Sequence, residues 1–375
     1  MKLTITASAL ADALDVAESA AVRGKTAHFP WMAGVLLDAR EGDRLTVSGT
    51  DLRVRAWRGV QANIEEAGAV VAPVKALSSF LEAVPADIVI SVTADHAHKV
   101  TLKGAGITAK AAGWDWEEFP PQPDFNDPAA DLTMAAPLMA RLIGSVVHAA
   151  ADNDSRPVLA GVLFRYRSGT LSLVAADGFR MAVRETEIDG SGEDFEVIVH
   201  AAKLAEVAKQ LARATSVRLI VDSDGKSVMF DAESGCFTVA TIDGQFPDVA
   251  RIIPKPDAVT TTVTVARADM LRAIELVRAV ERDVRTKLHV TDNGLTVEAS
   301  DSTNDHAVSA DLAADHDGEP QAITFQGTYV RDAVRALEGD RVTLEIVGKA
   351  SPALVREAGE RGSHSQLVMP MQAPR

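Results

Sequence analysis

The sequence predicts an α+β protein made of three tandem homologous domains. Three observations predict it: a strand-to-helix signature that occurs three times, an alternating strand ending on aspartate that also occurs three times, and two proline-rich junctions that both begin Phe-Pro. The copies lie roughly 125–130 residues apart. That spacing is far longer than the ~20–50 residues of a solenoid unit and matches a whole domain. The 375-residue length agrees, because a single hydrophobic core stops growing near ~250–300 residues.

The first signature reads Leu3-Thr4-Ile5 followed by Leu10 and Leu14. It returns as Leu132-Thr133-Met134 with Met139 and Ile143, and as Val263-Thr264-Val265 with Met270 and Ile274. In each copy the two later residues are four apart, on one face of a helix. The second signature is Leu45 to Asp51, matched by Leu171 to Asp177 and Leu295 to Asp301. A third, Ala33-Gly34-Val35-Leu36-Leu37, matches Ala160-Gly161-Val162-Leu163-Phe164 and has no clear third copy. Later strand–helix pairs start at Val70, Val197 and Ile323, and further strands are expected at Ile88–Ile90, Val217–Leu219 and Val342–Leu344. Asp224-Gly225 and Asn293-Gly294 read as hairpin turns. Helices are expected over 8–22, 74–84, 137–149, 201–214, 267–282 and 328–338. The junctions, Phe119 to Asp124 and Phe246 to Asp257, suit linkers because proline lacks a backbone donor. The expected domains are residues 1–122, 129–250 and 259–375.

Composition bounds the function. Hydrophobic residues are 47% and charged residues 24%, which excludes a mostly disordered chain. No apolar run approaches the ~18–20 residues of a membrane span, so no membrane partner is expected. The segment Met1 to Thr6 lacks an apolar signal core, and a cytoplasmic location is expected. The lone Cys236 permits no intrachain disulfide and reads as a packed thiol. The net charge of −15 is spread evenly, with 12 basic and 16 acidic residues in 1–125, 13 and 18 in 126–255, and 13 and 19 in 256–375. Such a chain does not hold DNA by net charge, although a local basic surface is compatible with it.

The helices carry candidates for such a surface. The fourth sets Leu204, Val207 and Leu211 on an apolar face, with Lys209 and Arg213 opposite and Lys203 near the edge. On the fifth, Arg267, Arg278 and Arg282 fall within about 60° of one another at roughly 100° per residue. The sixth offers Arg331 and Arg335. A solvated charged face and a face turned toward phosphates are both compatible with this pattern. The first helix is instead acidic, with Asp12, Asp15 and Glu18, and only Arg23 and Lys25 follow it.

Nothing in the sequence argues for catalysis. It has no phosphate-binding loop, zinc-protease helix or nucleophile elbow. His96 and His98 would point to one face on a strand, but a surface turn after Ala94-Asp95 is the simpler reading, and no metal or other cofactor is expected. Asp51, Asp177 and Asp301 belong to different repeats and read as turn aspartates at strand ends.

Four segments carry a resemblance: Arg156 to Phe164, Ala175 to Val183, Asp243 to Asp248, and Leu367 to Met371. With the triple repeat, they make the chain similar over essentially its whole length to the bacterial DNA polymerase III beta subunit, the sliding clamp. The resemblance implies antiparallel sheets outside and helices inside, and a head-to-tail homodimeric ring of six like domains around duplex DNA. It implies a non-catalytic processivity factor for DNA replication. Its partners would be the replicative polymerase, clamp loader and repair proteins, each bound through a short peptide. Carried over by motif, the peptide pocket would comprise Leu159, Ala176, Gly178, Phe179, Arg180 and Met181. Pro247, Arg251 and Ile252 would join from the second linker, Leu367, Val368, Met369, Pro370 and Met371 from the C-terminal segment, with Ser351 and Ala353. Asn153 joins the helix residues above as DNA-facing. The sequence departs from the family pattern at Phe179, where many members have a polar or basic ring, and at Gln372, where arginine is common. Two other functions stay open on the residues alone: a clamp-fold scaffold that binds peptides without loading on DNA, and an enzyme with a polar site in one repeat only.

Overall fold

The computed structural model describes residues 1–22, 28–123, 125–152, 156–188, 193–278, 285–291, 294–301, 306–359 and 362–371. The first third runs β1 (Lys2–Thr6), α1 (Ala7–Glu18), β2 (Gly34–Asp38), β3 (Arg44–Thr50), β4 (Val54–Gln61), β5 (Asn63–Glu66), β6 (Ala69–Pro73), α2 (Val74–Ala83), β7 (Val89–Ala94), β8 (Lys99–Gly104) and β9 (Ile107–Ala112). The second runs β10 (Ala130–Ala135), α3 (Ala136–Val146), β11 (Gly161–Arg167), β12 (Thr170–Ala176), β13 (Arg180–Glu187), β14 (Phe195–His200), α4 (Leu204–Leu211), β15 (Ser216–Val221), β16 (Ser227–Ala232) and β17 (Gly235–Ala240). The third runs β18 (Thr261–Ala266), α5 (Arg267–Arg278), β19 (Arg285–Thr291), β20 (Gly294–Asp301), β21 (His306–Leu312), β22 (Ala314–Gly318), β23 (Ala322–Gln326), α6 (Gly327–Ala336), β24 (Arg341–Ile346), β25 (Ala353–Glu357) and β26 (His364–Val368).

Each repeat opens as its pattern dictates. Leu3 and Ile5 are buried between exposed or half-buried neighbours, and the Thr6 hydroxyl accepts from the Ala9 N–H to cap α1. The helix then buries Leu10, Ala13, Leu14 and Ala17. Several helices stop short of the expected ends. After Glu18, the N–H groups of Ser19, Ala20 and Ala21 bond carbonyls three residues back, so the chain tightens and leaves the α-helix. The third and fourth helices lose residues 147–149 and 201–203 to single tight 3₁₀ turns. The third signature gains its missing copy: β19 occupies the place in its sheet that β2 and β11 occupy in theirs. At Asp224-Gly225 the expected turn forms, with Gly225 at φ +68°. Asn293 lies outside the described residues.

The compact units follow the ladders rather than the thirds. One comprises Met1–Ala140 with Ala202–Thr241, the other Arg141–Ala201 with Ile242–Arg375. The first unit holds a five-stranded sheet, β5-β1-β7-β8-β9, and an eight-stranded one, β10-β15-β16-β17-β4-β3-β2-β6. The second holds a nine-stranded sheet, β14-β11-β12-β13-β26-β25-β24-β18-β22, and a four-stranded one, β21-β20-β19-β23. All pairings are antiparallel. Two sheets therefore run across repeat boundaries: β17 pairs β4 from Cys236↔Trp57 to Val239↔Val54, and β26 pairs β13 from Val368↔Arg180 to His364↔Arg184. In the first unit the core gathers Leu3, Leu10, Val47, Phe80 and Leu102. Its counterpart in the second gathers Val263, Met270, Val297, Phe325 and Leu344. Helix α1 lies directly on β3, since a Cβ at Gly49 would stand 2.0 Å from the Ala17 carbonyl oxygen.

Candidate partner-peptide pocket and basic helix faces

The pocket candidates of the second unit are organised by one turn. After β12, Asp177 Oδ1 accepts the N–H groups of Phe179 at 2.8 Å and Arg180 at 2.9 Å, and Gly178 takes φ +95°. The turn projects Phe179, which is 60% exposed. Arg180 is pinned: its Nε donates to Asp177 Oδ2 at 2.9 Å, its Nη1 donates to Asp332 Oδ2 at 3.0 Å, and its guanidinium lies 4.4 Å from the centre of the Tyr329 ring. Burial and the Asp177 charge push the Tyr329 hydroxyl up. Such a doubly paired arginine positions the turn and has little charge left to offer a ligand.

Beside the turn, Leu159, Ala176, Met181 and Leu367 pack into one apolar cluster with Leu163, Val174, Val183, Ile198, Phe246 and Leu354. The last six were not among the expected site residues. Alternation was their signal, since Val174 and Val183 lie two residues from Ala176 and Met181 on the same face of the sheet. Ile252 is 49% exposed on a turn between Val249 and Ile253, both packed on the cluster. The Met369 N–H donates to the Phe179 carbonyl at 2.8 Å, which sets exposed Met369 beside that ring's backbone. Phe179, Ile252 and Met369 are three of the eight large apolar side chains exposed among the described residues. Pro247 and Arg251 are exposed, Arg251 on an ion pair with Asp248 at 2.8 Å. Pro370 bridges to Phe325, and the Met371 N–H donates to Thr324 O at 2.8 Å. Ser351 is half-buried. Ala353 and Val368 point away from the pocket cluster into the core of the third repeat.

The helix bases are engaged. Lys203 Nζ donates to Ser19 O at 3.2 Å, and Lys209 pairs with Glu206 at 3.0 Å. Arg213 pairs with Asp15 at 2.9 Å, which gives the acidic first helix a purpose, since Gln210 donates to the same carboxylate. Arg267 Nε donates to Gly339 O at 3.1 Å. Arg278 and Arg335 share Glu275, at 3.0 and 3.1 Å, and Arg331 pairs with Asp332 at 2.6 Å. Lys209, Arg213 and Arg335 keep more than half of their side chains exposed. Exposed pairs of that kind hold ~0–1 kcal/mol, so a phosphate can replace the carboxylate at little cost. Arg23, Lys25, Asn153, Arg282 and Gln372 lie outside the described residues.

Two other expectations resolve as turns. Asp51 Oδ1 accepts from Arg53 N and Val54 N, as Asp177 does in its own copy; the Asp301 side chain is outside the described set. His96 and His98 fall in the Asp95–Lys99 turn rather than on a strand, with Asp95 Oδ1 accepting from Ala97 N and Lys99 N. Among the described residues no cluster of three metal-ligating side chains occurs. Cys236 donates to Asp231 Oδ1 at 2.9 Å, and burial pushes its thiol up.

Comparisons with known proteins agree with this geometry. Family models of the DNA polymerase III beta subunit match in order: the N-terminal domain at residues 1–123, the central domain at 133–248 and the C-terminal domain at 250–372. The chain is 27% identical over 381 residues to a beta sliding clamp homolog, GriR, of Streptomyces muensis, covering 99% of both. It is 27% identical to the Vibrio cholerae beta sliding clamp, covering 99% of this chain and 100% of that one. The crystal structure of the Bacillus subtilis sliding clamp superposes with a TM-score of 0.91 at 22% identity over the full length of both chains. A Pseudomonas aeruginosa clamp bound to griselimycin gives 0.89 at 24%, again over both full lengths. The chain, with three tandem clamp domains, belongs to the bacterial DNA polymerase III beta subunit family, the beta sliding clamps.

Proposed function

We propose that two copies of this chain close head to tail into a ring that encircles duplex DNA without reading its bases, and that the ring tethers the replicative polymerase. The clamp loader and repair proteins bind the same pocket through short peptides, in the cytoplasm, and the chain itself catalyses nothing. The domains are residues 1–122, 129–250 and 259–375.

One observation carries the head-to-tail reading: the sheet edges left open include both strands that stand where the internal junctions pair. At each junction the last strand of one repeat, β17 or β26, pairs with β4 or β13 of the repeat before it. The strands in those same positions that lack a partner are β9 and β21, at the ends of their sheets. Unpaired edges template association. The side chains repeat the pattern. Thirteen residues after the first strand residue of each copy stand Val16, Ser145 and Leu276. Val16 is buried, and a Cβ at Gly235, the first residue of β17, would lie 2.6 Å from its Cγ1. Ser145 is buried, and its carbonyl accepts from Gln366 of β26 at 2.9 Å. Leu276 is 52% exposed, and so is part of Ile107, the first residue of β9. A second chain supplying β9 against β21 would bring Ile107 to Leu276. Two such contacts make a closed twofold ring.

The peptide reading rests on the exposed Phe179, Ile252 and Met369 around the Leu159–Leu367 cluster: a methionine and an aromatic ring over an apolar floor adapt to several ligands. The griselimycin-bound relative is a ligand precedent within the family. The scaffold reading, without DNA loading, has the engaged helix bases in its favour. Light scattering and retention on nicked circular DNA with a clamp loader separate the two. The ring predicts a mass near twice 39.7 kDa and retention that is lost when the circle is linearised. A monomer, or retention indifferent to DNA ends, overturns the ring.

A further inference from the structure

A cavity of the first unit, about 560 Å³, lies over β2, β3 and β4 beneath the segment 116–122. That is the volume of a site for a small ligand or a few residues of peptide. Its floor is the sheet face opposite the core, with Leu36, Ser48 and Arg55, and Trp116 and Phe119 form its rim. The position is the repeat counterpart of the candidate peptide pocket. Leu36 corresponds to Leu163, Phe119 to Phe246, and the β17–β4 ladder to the β26–β13 ladder. Three places differ in chemistry: Ser48 stands for Val174, Arg55 for Met181, and Thr238 for Leu367.

Arg55 is the anomaly. It is 9% exposed, its Nη1 donates to Pro120 O at 2.8 Å, and its guanidinium lies 5.1 Å from the Phe119 ring centre. Its Nε has no partner, nor does the Oγ1 of Thr238, its buried cross-strand neighbour. Burial pushes the guanidinium down to about 10, with Asp38 opposing from a distance. The nearest carboxylate is already taken, because Asp38 binds Arg40 through both oxygens at 2.9 and 2.7 Å, and Arg40 stacks 3.8 Å over Trp116. Arg44 is spent on Gly59 O. Glu41 and Glu117 stand on the wall and select against ligands of high negative charge. A buried guanidinium held by one neutral carbonyl costs free energy until a carboxylate meets it.

We propose that this cavity is a second ligand pocket, taking a short peptide that presents one carboxylate, side-chain or C-terminal, beside an apolar side chain, with Arg55 as the anion anchor and Trp116 and Phe119 as the apolar wall. The likeness to the second repeat's pocket rests on the peptide reading above, but the cavity and its guanidinium do not.

The four tryptophans, Trp31, Trp57, Trp114 and Trp116, give four indole N–H signals, all from the first third of the chain. The probe is N-acetyl-Leu-Phe with a free C-terminal carboxylate, titrated into the full ¹⁵N-labelled chain. Trp116 is assigned with Trp116→Phe. The expected result is saturable movement of the Trp116 signal, at least tenfold weaker binding of the C-terminal amide, and at least tenfold weaker binding by Arg55→Met. That variant installs the residue of the second repeat. No saturable movement of Trp116 up to 20 mM (roughly tenfold above the weakest affinity worth calling a site) overturns the proposal, as does equal binding of acid and amide. The acid–amide comparison uses the unaltered chain and decides even if Arg55→Met misfolds. The second unit holds no tryptophan, so binding at Phe179 leaves these signals still and the two pockets fail separately.

Discussion

Leu276→Ala should weaken the dimer about thirtyfold while leaving the chain folded. Complete burial of a leucine side chain contributes ~1.5–3 kcal/mol. Leu276 is 52% exposed, so pairing of the open edges buries what remains, about 1 kcal/mol per copy. A head-to-tail dimer contains the contact twice, giving about 2 kcal/mol, and each 1.4 kcal/mol is tenfold in Kd. The folded chain loses little, because Leu276 is not part of the buried core of its repeat. Sedimentation velocity over a dilution series reads the dimer Kd, and urea unfolding reads stability. Val89→Ala is the control: Val89 is 64% exposed, but β7 already has β1 and β8 on either side. A change below threefold for Leu276→Ala, or an equal change for Val89→Ala, refutes the assignment of that edge.

Phe179→Ala should cut affinity for a clamp-binding peptide at least tenfold, measured by fluorescence polarisation, with stability unchanged within ~0.5 kcal/mol because the ring is largely exposed. Arg356→Met should destabilise the second unit by up to about 3 kcal/mol in urea unfolding, since it removes a guanidinium 2.6 Å from Glu345, which is only 2% exposed. Burial, aided by the nearby Arg180 charge, pushes the His148 imidazole down to about 4, against 6.5 in the unfolded chain. Below pH 6.5 the unfolded chain therefore binds the proton first, and stability falls as pH drops from 6.5 toward 4, by about 2 kcal/mol at pH 5 for this one residue. His148→Gln should flatten that part of the urea-midpoint profile between pH 7 and 5, and an unchanged slope would place the loss elsewhere.

The strand-and-helix order was legible because each copy writes its period plainly: Leu3/Ile5 alternate, then Leu10/Leu14 recur at four. Helix ends were less so, because the turns after Glu18 and Val146 are set by carbonyls three residues back rather than by proline or glycine. The exposed half of the peptide pocket came from the resemblance, and its floor could have been read from alternation. The state of the helix bases was hidden for a simple reason. Arg213 meets Asp15, and Arg335 meets Glu275, across 198 and 60 residues of chain, and no local pattern carries that information. Arg55 was hidden in the same way, as an alternating strand residue whose burial depends on the Phe119-Pro120 segment folding over it.

The ladders that join β17 to β4 and β26 to β13 change what counts as a separable part of this molecule. Cutting the chain at its proline-rich junctions, the natural place by sequence, would tear both ladders and bare a raw sheet edge on every fragment. The middle repeat would suffer twice, since β17 belongs to one sheet and β13 to another. What descends as three units therefore melts along different lines, and isolated repeats should be recovered as aggregates rather than as soluble domains.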